Sequence, residues 1–222
     1  MKAVLLDFNG TLFFDSGFHL EAWGKIYREL RGNTDDEPGD DFYCGAHNDV
    51  IIQNIAPWLT PEERRECSRR KEALYRQICE ENPERVHLAP GAEEFLQSLK
   101  ERQVPFILAS ASIKENIDFY FRQFGLDRWF DKNQCVYDDG TYTHKGEMHI
   151  EAARRLGTVL TQCIVVEDSI NAISHTKAKG AGMLVGIGTE SAKNDLLNAG
   201  ADHFIHDFTE FKREWLASEI PE

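Results

Sequence analysis

Short runs of apolar residues recur along the chain, and helical patterns alternate with them. The apolar runs cover residues 3–6, 104–109, 163–166 and 183–187, with weaker ones at 135–137 and 201–205. The helical patterns between them cover residues 92–102, 113–124, 146–156, 169–179 and 191–199. Strands that are apolar throughout and alternate with helices are typical of a parallel sheet covered on both faces. The pattern therefore predicts an α/β fold with a doubly wound, Rossmann-like parallel sheet.

One long stretch after the first apolar run breaks this alternation, because it has helical patterns and no convincing strand. The predicted segments are helices at 18–30, 48–55 and 61–81 and a polar loop at 32–41. Thr60 and Pro61 give the last helix an N-cap and a proline at its first position. We expect a helical cap domain at residues 14–88, inserted into a core domain of residues 1–13 and 89–222. Such an insert commonly covers and dries an active site.

Charge and cysteine content narrow the classes of partner. The 222 residues include 25 Lys and Arg against 38 Asp and Glu, a formal net charge of −13. So acidic a protein repels a phosphate backbone, and no long basic run offsets this, so we expect no nucleic-acid partner.

The early Asp7 argues against a signal peptide, and no apolar run approaches the roughly 20 residues that span a bilayer. Five scattered cysteines without a Cys-x-x-Cys pair favour reduced thiols. We expect a cytoplasmic protein without a membrane partner, either a monomer or a weak homodimer.

Oxygen-bearing side chains follow three of the predicted strands. Asp7 follows the first apolar run, Ser110 follows the second, and Glu167 and Asp168 follow the run at 163–166. Lys145 stands at the start of a predicted helix. In open parallel sheets ligands bind at the carboxyl ends of the strands, so these side chains are expected to meet there. Clustered carboxylates favour a hard divalent cation such as Mg²⁺, and a hydroxyl and an amine beside it suit a phosphate.

Several motifs give the chain a resemblance to a known family. They are LLDFNGTLFFDS at the start, FILASAS in the middle, Lys145 before a helix, and IVVEDSINAI followed by AKGAGM. FHLEAW and HLAPGAEEFLQSL extend the likeness into and beyond the insert. The sequence resembles the haloacid dehalogenase superfamily of phosphohydrolases, and closely its β-phosphoglucomutase-like branch. Four ordered motifs at matching positions make this resemblance specific.

The resemblance implies a role for each matching residue. Asp7 would attack phosphorus and form an aspartyl-phosphate. Mg²⁺ would be held by Asp7, the backbone carbonyl of Asn9, Asp168 and, through water, Glu167. The transferring phosphoryl group would be bound by Thr11, Ser110, the backbone N–H of Ala111 and Lys145. The expected function is that of a Mg²⁺-dependent phosphatase or phosphotransferase, acting on a small phosphorylated metabolite such as a sugar phosphate.

Asn9 departs from the family pattern, in which this position holds the aspartate that acts as general acid and base. A carboxamide cannot deliver a proton, so a loss of about 10²- to 10⁴-fold is expected for substrates with basic leaving groups. The proton then comes from elsewhere, with His19 as the candidate donor, or the chain is a weak or inactive phosphometabolite-binding protein. Asn9-Gly10 is also a deamidation-prone pair. An engineered Asp→Asn change at position 9 would give the same amino-acid sequence.

Two other chemistries of the superfamily fit the residues less well. The dehalogenases need no metal, which the retained Glu167-Asp168 pair argues against. The phosphonate hydrolases need a Schiff-base lysine from the insert, and neither Lys25 nor Lys71 has a distinctive setting for that role.

Substrate selection is expected to involve residues of the insert and of one core loop: His47, Asn48, Lys71 and Lys114. Sugar-phosphate mutases of the branch have a basic residue where Asn48 stands, and Lys114 replaces a polar neutral residue. Because Asn48 replaces that basic residue and Asn9 replaces the general acid, mutase activity is disfavoured.

Simpler structural roles compete with some of these interpretations. Asp168 or Ser169 can cap the helix at 169–179, and Ser112 can cap the helix at 113–124. His19 stands on a helical pattern among apolar residues, where a packed histidine is the commoner outcome.

Overall fold

The computed structural model describes residues 3–32, 38–43 and 47–217, and these form two compact units. The first unit comprises residues 1–14 and 88–222, and the second comprises residues 15–87. Of the loop predicted at 32–41, residues 33–37 lie outside the described residues. None of the helices in the described ranges is both long enough and apolar enough to span a membrane.

A parallel sheet forms the first unit, and within the described residues it has six strands in the order β3-β2-β1-β4-β5-β6. The strands are β1 (Ala3–Leu6), β2 (Phe106–Ile113), β3 (Val136–Asp138), β4 (Cys163–Glu167), β5 (Met183–Ile187) and β6 (His203–Ile205). The flanking helices are α4 (Ala92–Glu101), α5 (Lys114–Phe124), α6 (Lys145–Arg155), α7 (Ile170–Ala178) and α8 (Lys193–Ala199). The predicted α/β, Rossmann-like parallel sheet is confirmed.

The central strands explain why the apolar runs are continuous. All four residues of β1 and all five of β4 are buried, so neither face of these strands meets water. β1 pairs with β2 on one side and with β4 on the other, and the strand order reverses at β1. A ligand crevice opens at such a reversal in parallel sheets, beyond the carboxyl ends of the strands. Asp7 follows β1 directly, and Glu167 ends β4.

The strand predicted at 104–109 is displaced, because β2 is Phe106–Ile113. Pro105 has no backbone N–H to donate, and pairing with β3 carries the strand onward to Ile113, which lies opposite Asp138. Ser110 and Ser112 therefore lie within the strand instead of after it. The predicted cap by Ser112 is wrong, since Ile113 is the N-cap residue of α5.

The second unit is helical and contains α1 (Ser16–Arg31), α2 (Asn48–Ile55) and α3 (Pro61–Glu81). Its core is built from apolar side chains of these helices, among them Trp23, Ile26, Ile52 and Ile55. α3 begins with the predicted Thr60 cap, where Thr60 and Glu63 satisfy each other's backbone N–H groups and Pro61 follows. The sequence therefore fixes where this long, highly charged helix begins.

Candidate active site

Three carboxylates gather at the carboxyl edge of the sheet. Asp7, Glu167 and Asp168 each offer an oxygen, and these oxygens all lie within 4.8 Å of one another. Asp7 and Glu167 are buried and Asp168 is half-buried. The pairing of β1 with β4, which places Leu6 opposite Val166, brings the residues that follow the two strands to one place.

Lys145 lies between two of these carboxylates. Its Nζ is 2.6 Å from Asp7 Oδ1 and 3.3 Å from Glu167 Oε2. Burial lowers the pKa of the Lys145 amine, but the Asp7 and Glu167 carboxylates outweigh burial and raise this pKa above its ordinary value. The amine is therefore charged and is held in place by two buried partners.

Close packing of α6 on α7 positions Lys145, the first residue of α6. A Cβ added to Gly146 would lie 2.8 Å from the carbonyl oxygen of His175, so only glycine permits this approach. One turn further on, His149 is fully buried, and burial together with the Lys145 charge holds its pKa well below the usual range. A neutral His149 adds no second positive charge beneath the lysine.

The single positive charge of Lys145 does not balance the negative charge of three carboxylates at this site. Burial raises the pKa of the Glu167 carboxyl well above its usual range, and the Asp7 carboxylate raises it further. A divalent cation among these oxygens relieves that repulsion, and oxygen donors of this kind are what Mg²⁺ prefers. The donor set and its spacing therefore fit the magnesium site that the sequence predicts.

The turn after β1 is tight and brings its glycine against Asp168. Gly10 N–H donates to the carbonyl of Phe13 at 2.8 Å, and Phe13 N–H donates to the carbonyl of Phe8 at 2.9 Å. Gly10 has φ +68°, and a Cβ there would lie 2.0 Å from Asp168 Oδ2. Any side chain at this position would strain the turn and displace the Asp168 carboxylate.

Two residues that the sequence predicts to bind phosphate, Thr11 and Ser110, have buried hydroxyl groups in the same unit. Thr11 is fully buried, and its Oγ1 has no hydrogen-bond partner among the residues that the structure describes. Ser110 is 1% exposed and lies in β2, and the exposed Ala111 follows it. A buried hydroxyl without an internal partner is costly unless a ligand or water satisfies it, which fits a role in binding.

The Asn9 side chain points toward β2 and α5. Ser112 Oγ donates to Asn9 Oδ1 at 2.6 Å, and Asn9 Nδ2 donates to the hydroxyl of Tyr120 at 2.7 Å. Sequence reasoning did not single out Tyr120, because it stands between Phe119 and Phe121 in a stretch that is typical of core packing.

Ser169 settles the capping alternative for the residues after β4. Ser169 is the N-cap of α7, and its side chain accepts a hydrogen bond from the backbone N–H of Ala172. Asp168 is not the cap residue, and its carboxylate lies with Asp7 and Glu167.

The candidate selectivity residues of the second unit form a network of their own. His19 Nδ1 lies 2.7 Å from Lys71 Nζ, and His19 Nε2 lies 3.2 Å from Asp15 Oδ2. Lys71 is 2% exposed and pairs with Glu72 at 2.9 Å. Burial raises the pKa of Glu72, but the Lys71 and His19 charges lower it more, to about 2. Lys71 is thus a buried, paired amine, and His19 is packed as the simpler interpretation expected.

The other candidates differ in setting. Asn48 Nδ2 donates to Glu72 Oε1 at 2.8 Å and to Ser68 Oγ at 3.0 Å, which joins α2 to α3. His47 is the exposed N-cap residue of α2, and its side chain makes no capping bond. Lys114, in the first unit, is exposed and pairs with Asp118 at 2.5 Å. Their roles in substrate selection remain predictions.

Comparison with known proteins identifies the family. Residues 1–178 match the family model described as haloacid dehalogenase-like hydrolase, and the chain belongs to this family. The chain is 30% identical, with a TM-score of 0.89, to the crystal structure of a HAD hydrolase, family IA, variant 3, from Entamoeba histolytica, with 97% of each chain covered.

Two curated relatives come from Bacillus subtilis (strain 168). The chain is 24% identical to "Putative phosphatase YhcW", over 99% of this chain and 98% of that protein. It is 25% identical to a beta-phosphoglucomutase, over 99% of this chain and 95% of that protein. The chain is therefore a hydrolase of the haloacid dehalogenase-like family, of the phosphatase-like kind.

Proposed function

We propose that this chain is a phosphatase that removes the phosphoryl group of a small phosphorylated metabolite through a covalent intermediate on Asp7. The observation that carries the proposal is the contact of Lys145 Nζ with Asp7 Oδ1 at 2.6 Å beside Glu167 and Asp168. The buried amine lies directly against the Asp7 carboxylate, the group that would attack phosphorus in covalent catalysis of this kind. The likeness to a beta-phosphoglucomutase supports a small, polar phosphorylated metabolite as the substrate.

The reaction would proceed in two displacements at phosphorus. An Asp7 oxygen forms a bond to phosphorus while the ester P–O bond breaks and the leaving oxygen departs with the bonding electrons. Water then attacks the phosphorus of the aspartyl-phosphate, which releases inorganic phosphate and the Asp7 carboxylate, and a proton goes to solvent. Asn9 cannot protonate the leaving oxygen, so the proton for a basic leaving group comes from water or another group.

Mg²⁺ would be held by the Asp7 and Asp168 carboxylates and the backbone carbonyl of Asn9, with Glu167 acting through water. When bound, the ion neutralises charge on the carboxylates and on the phosphoryl oxygens. Thr11, Ser110, the Ala111 backbone N–H and Lys145 would bind the remaining phosphoryl oxygens. Two observations support this assignment: the Thr11 hydroxyl has no partner among the described residues, and the Lys145 amine is charged.

A second candidate function is binding of a phosphorylated metabolite without turnover. Asn9 favours it, because the acid and base of the family is missing while the acidic cluster and Lys145 are retained. A mutase would need a proton-transferring residue at the same position, so it is disfavoured on the same observation.

A screen of phosphorylated metabolites with Mg²⁺, read by both phosphate release and thermal shift, separates these functions. We expect release from at least one substrate, and none after addition of EDTA or in Asp7→Asn. A thermal shift without release over hours supports the binding protein instead. Release that persists in Asp7→Asn contradicts the proposed nucleophile.

A further inference from the structure

The carboxamide of Asn9 lies in a closed ring of hydrogen bonds. Ser112 Oγ donates to Asn9 Oδ1 at 2.6 Å, and Asn9 Nδ2 donates to the Tyr120 hydroxyl at 2.7 Å. The Tyr120 hydroxyl and Ser112 Oγ lie 3.4 Å apart and close the ring. Each of the three groups can then donate once and accept once around the ring, and hydrogen bonds connected in this way strengthen one another.

The two contacts of the Asn9 side chain need one acceptor and one donor, which an amide has and an ionised carboxylate does not. Asn9 accepts from Ser112 through its amide oxygen and donates to Tyr120 through its amide nitrogen, as a carboxamide can. An ionised carboxylate at position 9 has no hydrogen to give, so Ser112 and Tyr120 would both donate to it.

Packing holds the ring in place. Tyr120 is fully buried, and its ring stacks on Phe8 with centroids 4.1 Å apart and planes 19° from parallel. Phe8 directly follows Asp7, so the tyrosine supports the backbone of the proposed nucleophile. The ring also reaches Ser110, whose Oγ lies 3.5 Å from Asn9 Oδ1 and accepts a hydrogen bond from Ser112 N–H at 3.3 Å.

From this geometry we infer that Tyr120 and Ser112 are positioning residues that hold the carboxamide side chain of Asn9 in one orientation. Because this held carboxamide cannot give a proton, the site accepts a restricted class of substrate. The inference rests on the proposed phosphatase function. With residue 9 fixed in the ring and unable to give a proton, the Asp7 displacement favours phosphates whose leaving oxygen is stable as an anion. Acyl, enol and aryl phosphates are of this class, because a carboxylate, enolate or phenolate departs without being protonated.

The leaving-group dependence of turnover tests the substrate class. We expect kcat/KM to fall by about 10²-fold or more from acetyl phosphate and aryl phosphates to simple alkyl phosphates, the size of a missing general acid. Asn9→Asp alone is expected to recover less than about tenfold on alkyl phosphates, because Ser112 and Tyr120 both hold the new carboxylate. Asn9→Asp combined with Tyr120→Phe, which removes one holding donor, is expected to recover more than the single variant.

Two kinetic results overturn the inference. One is equal kcat/KM on alkyl and aryl phosphates in the unchanged chain. The other is full recovery in Asn9→Asp with no further gain from Tyr120→Phe, which would show that the ring does not hold residue 9. Phosphate release that persists in Asp7→Asn is a different outcome, because it refutes the proposed nucleophile and leaves the ring in place.

A readout that needs no turnover tests the ring itself. The side-chain NH₂ signals of Asn9, assigned by their loss in Asn9→Asp, are expected to exchange slowly in the unchanged chain. Tyr120→Phe and Ser112→Ala are each expected to speed that exchange at least tenfold. Tyr75→Phe is the matched control, since it removes a buried hydroxyl bond of 2.6 Å to Asp15 and leaves the Asn9 signals unchanged. Fast exchange in the unchanged chain, or no effect of either variant, overturns the assignment.

Discussion

Lys145 Nζ lies 2.6 Å from Asp7 Oδ1, and both side chains are buried. A contact this short places the positive charge of the amine directly against the carboxylate. In the proposed reaction it aims the Asp7 oxygen and leaves the amine beside the phosphoryl group.

Lys145→Gln is therefore expected to lower kcat by about 10²- to 10³-fold, the usual cost of removing one preorganised electrostatic partner. Steady-state kinetics with an aryl phosphate measures this loss. Lys177→Gln is the control, because Lys177 is an exposed lysine that pairs with Asp202. A loss below about tenfold in Lys145→Gln would mean that the amine is structural.

Gly10→Ala is expected to weaken Mg²⁺ binding by about 10- to 100-fold, the range seen when the support of a metal ligand is disturbed. The added Cβ would overlap Asp168 Oδ2, so the carboxylate must move. Calorimetric titration with Mg²⁺ measures the change. Gly140→Ala is a matched control, since Gly140 also has positive φ (+83°) and no atom of the described residues lies within 4 Å of an added Cβ. Equal Mg²⁺ affinity in both variants would contradict the role of Asp168.

Asn9 is expected to stay an asparagine in the folded protein, although Asn9-Gly10 is a deamidation-prone pair. Deamidation needs the Gly10 nitrogen to attack the Asn9 side chain. That side chain is held by Ser112 and Tyr120, and Gly10 N–H donates to Phe13. Peptide mass spectrometry after ageing is expected to find the amide intact in folded protein and converted faster in urea. Equal conversion in both samples would show that the fold gives no protection.

The Glu72 carboxylate is expected to stabilise the helical unit above pH 4.5 and to lose this effect in acid. Its folded pKa, lowered to about 2 by Lys71 and His19 against burial, lies below its usual value of 4.5. A depressed folded pKa contributes stability that is fully present above the unfolded value and disappears as pH falls toward the folded value.

Comparison with Glu72→Gln isolates that contribution. Denaturant unfolding at pH 6 and at pH 3 is expected to show the stability advantage of the unchanged chain shrinking as the pH falls. Glu62→Gln, which changes an exposed glutamate of the same helix, is the control. An advantage that is independent of pH would contradict the buried ion pair.

Much of the fold can be predicted from the sequence, because strands buried on both faces are continuous runs of apolar residues. The predicted runs at Ala3–Leu6 and Met183–Ile187 match β1 and β5, and the predicted helix at Pro61–Glu81 matches α3. β2 differs, because its pairing with β3 is interrupted after Ala109 and resumes at Ile113, so the strand extends past Ser110 and Ser112 whatever the polarity of their side chains. Hydrophobic patterns report burial, and they do not report pairing at a polar strand end.

The candidate site is only partly readable from sequence. Carboxylates that follow adjacent parallel strands are expected to meet, and the structure brings Asp7, Glu167 and Asp168 together. The ring around Asn9 could not be predicted, because Tyr120 stands 111 residues further along the chain and its contact with Asn9 depends on how α5 packs over Phe8. A single tyrosine among phenylalanines carries no periodic signal of such a contact.

Trapping of the covalent intermediate tests the central claim most directly. The protein is mixed with a ³²P-labelled substrate found in the metabolite screen, quenched in acid within one turnover, and digested for peptide mapping. We predict label on the peptide that contains Asp7, released by hydroxylamine as an acyl phosphate should be, and absent in Asp7→Asn. Label on another residue, or turnover of the same substrate with no label at any quench time, would contradict the account.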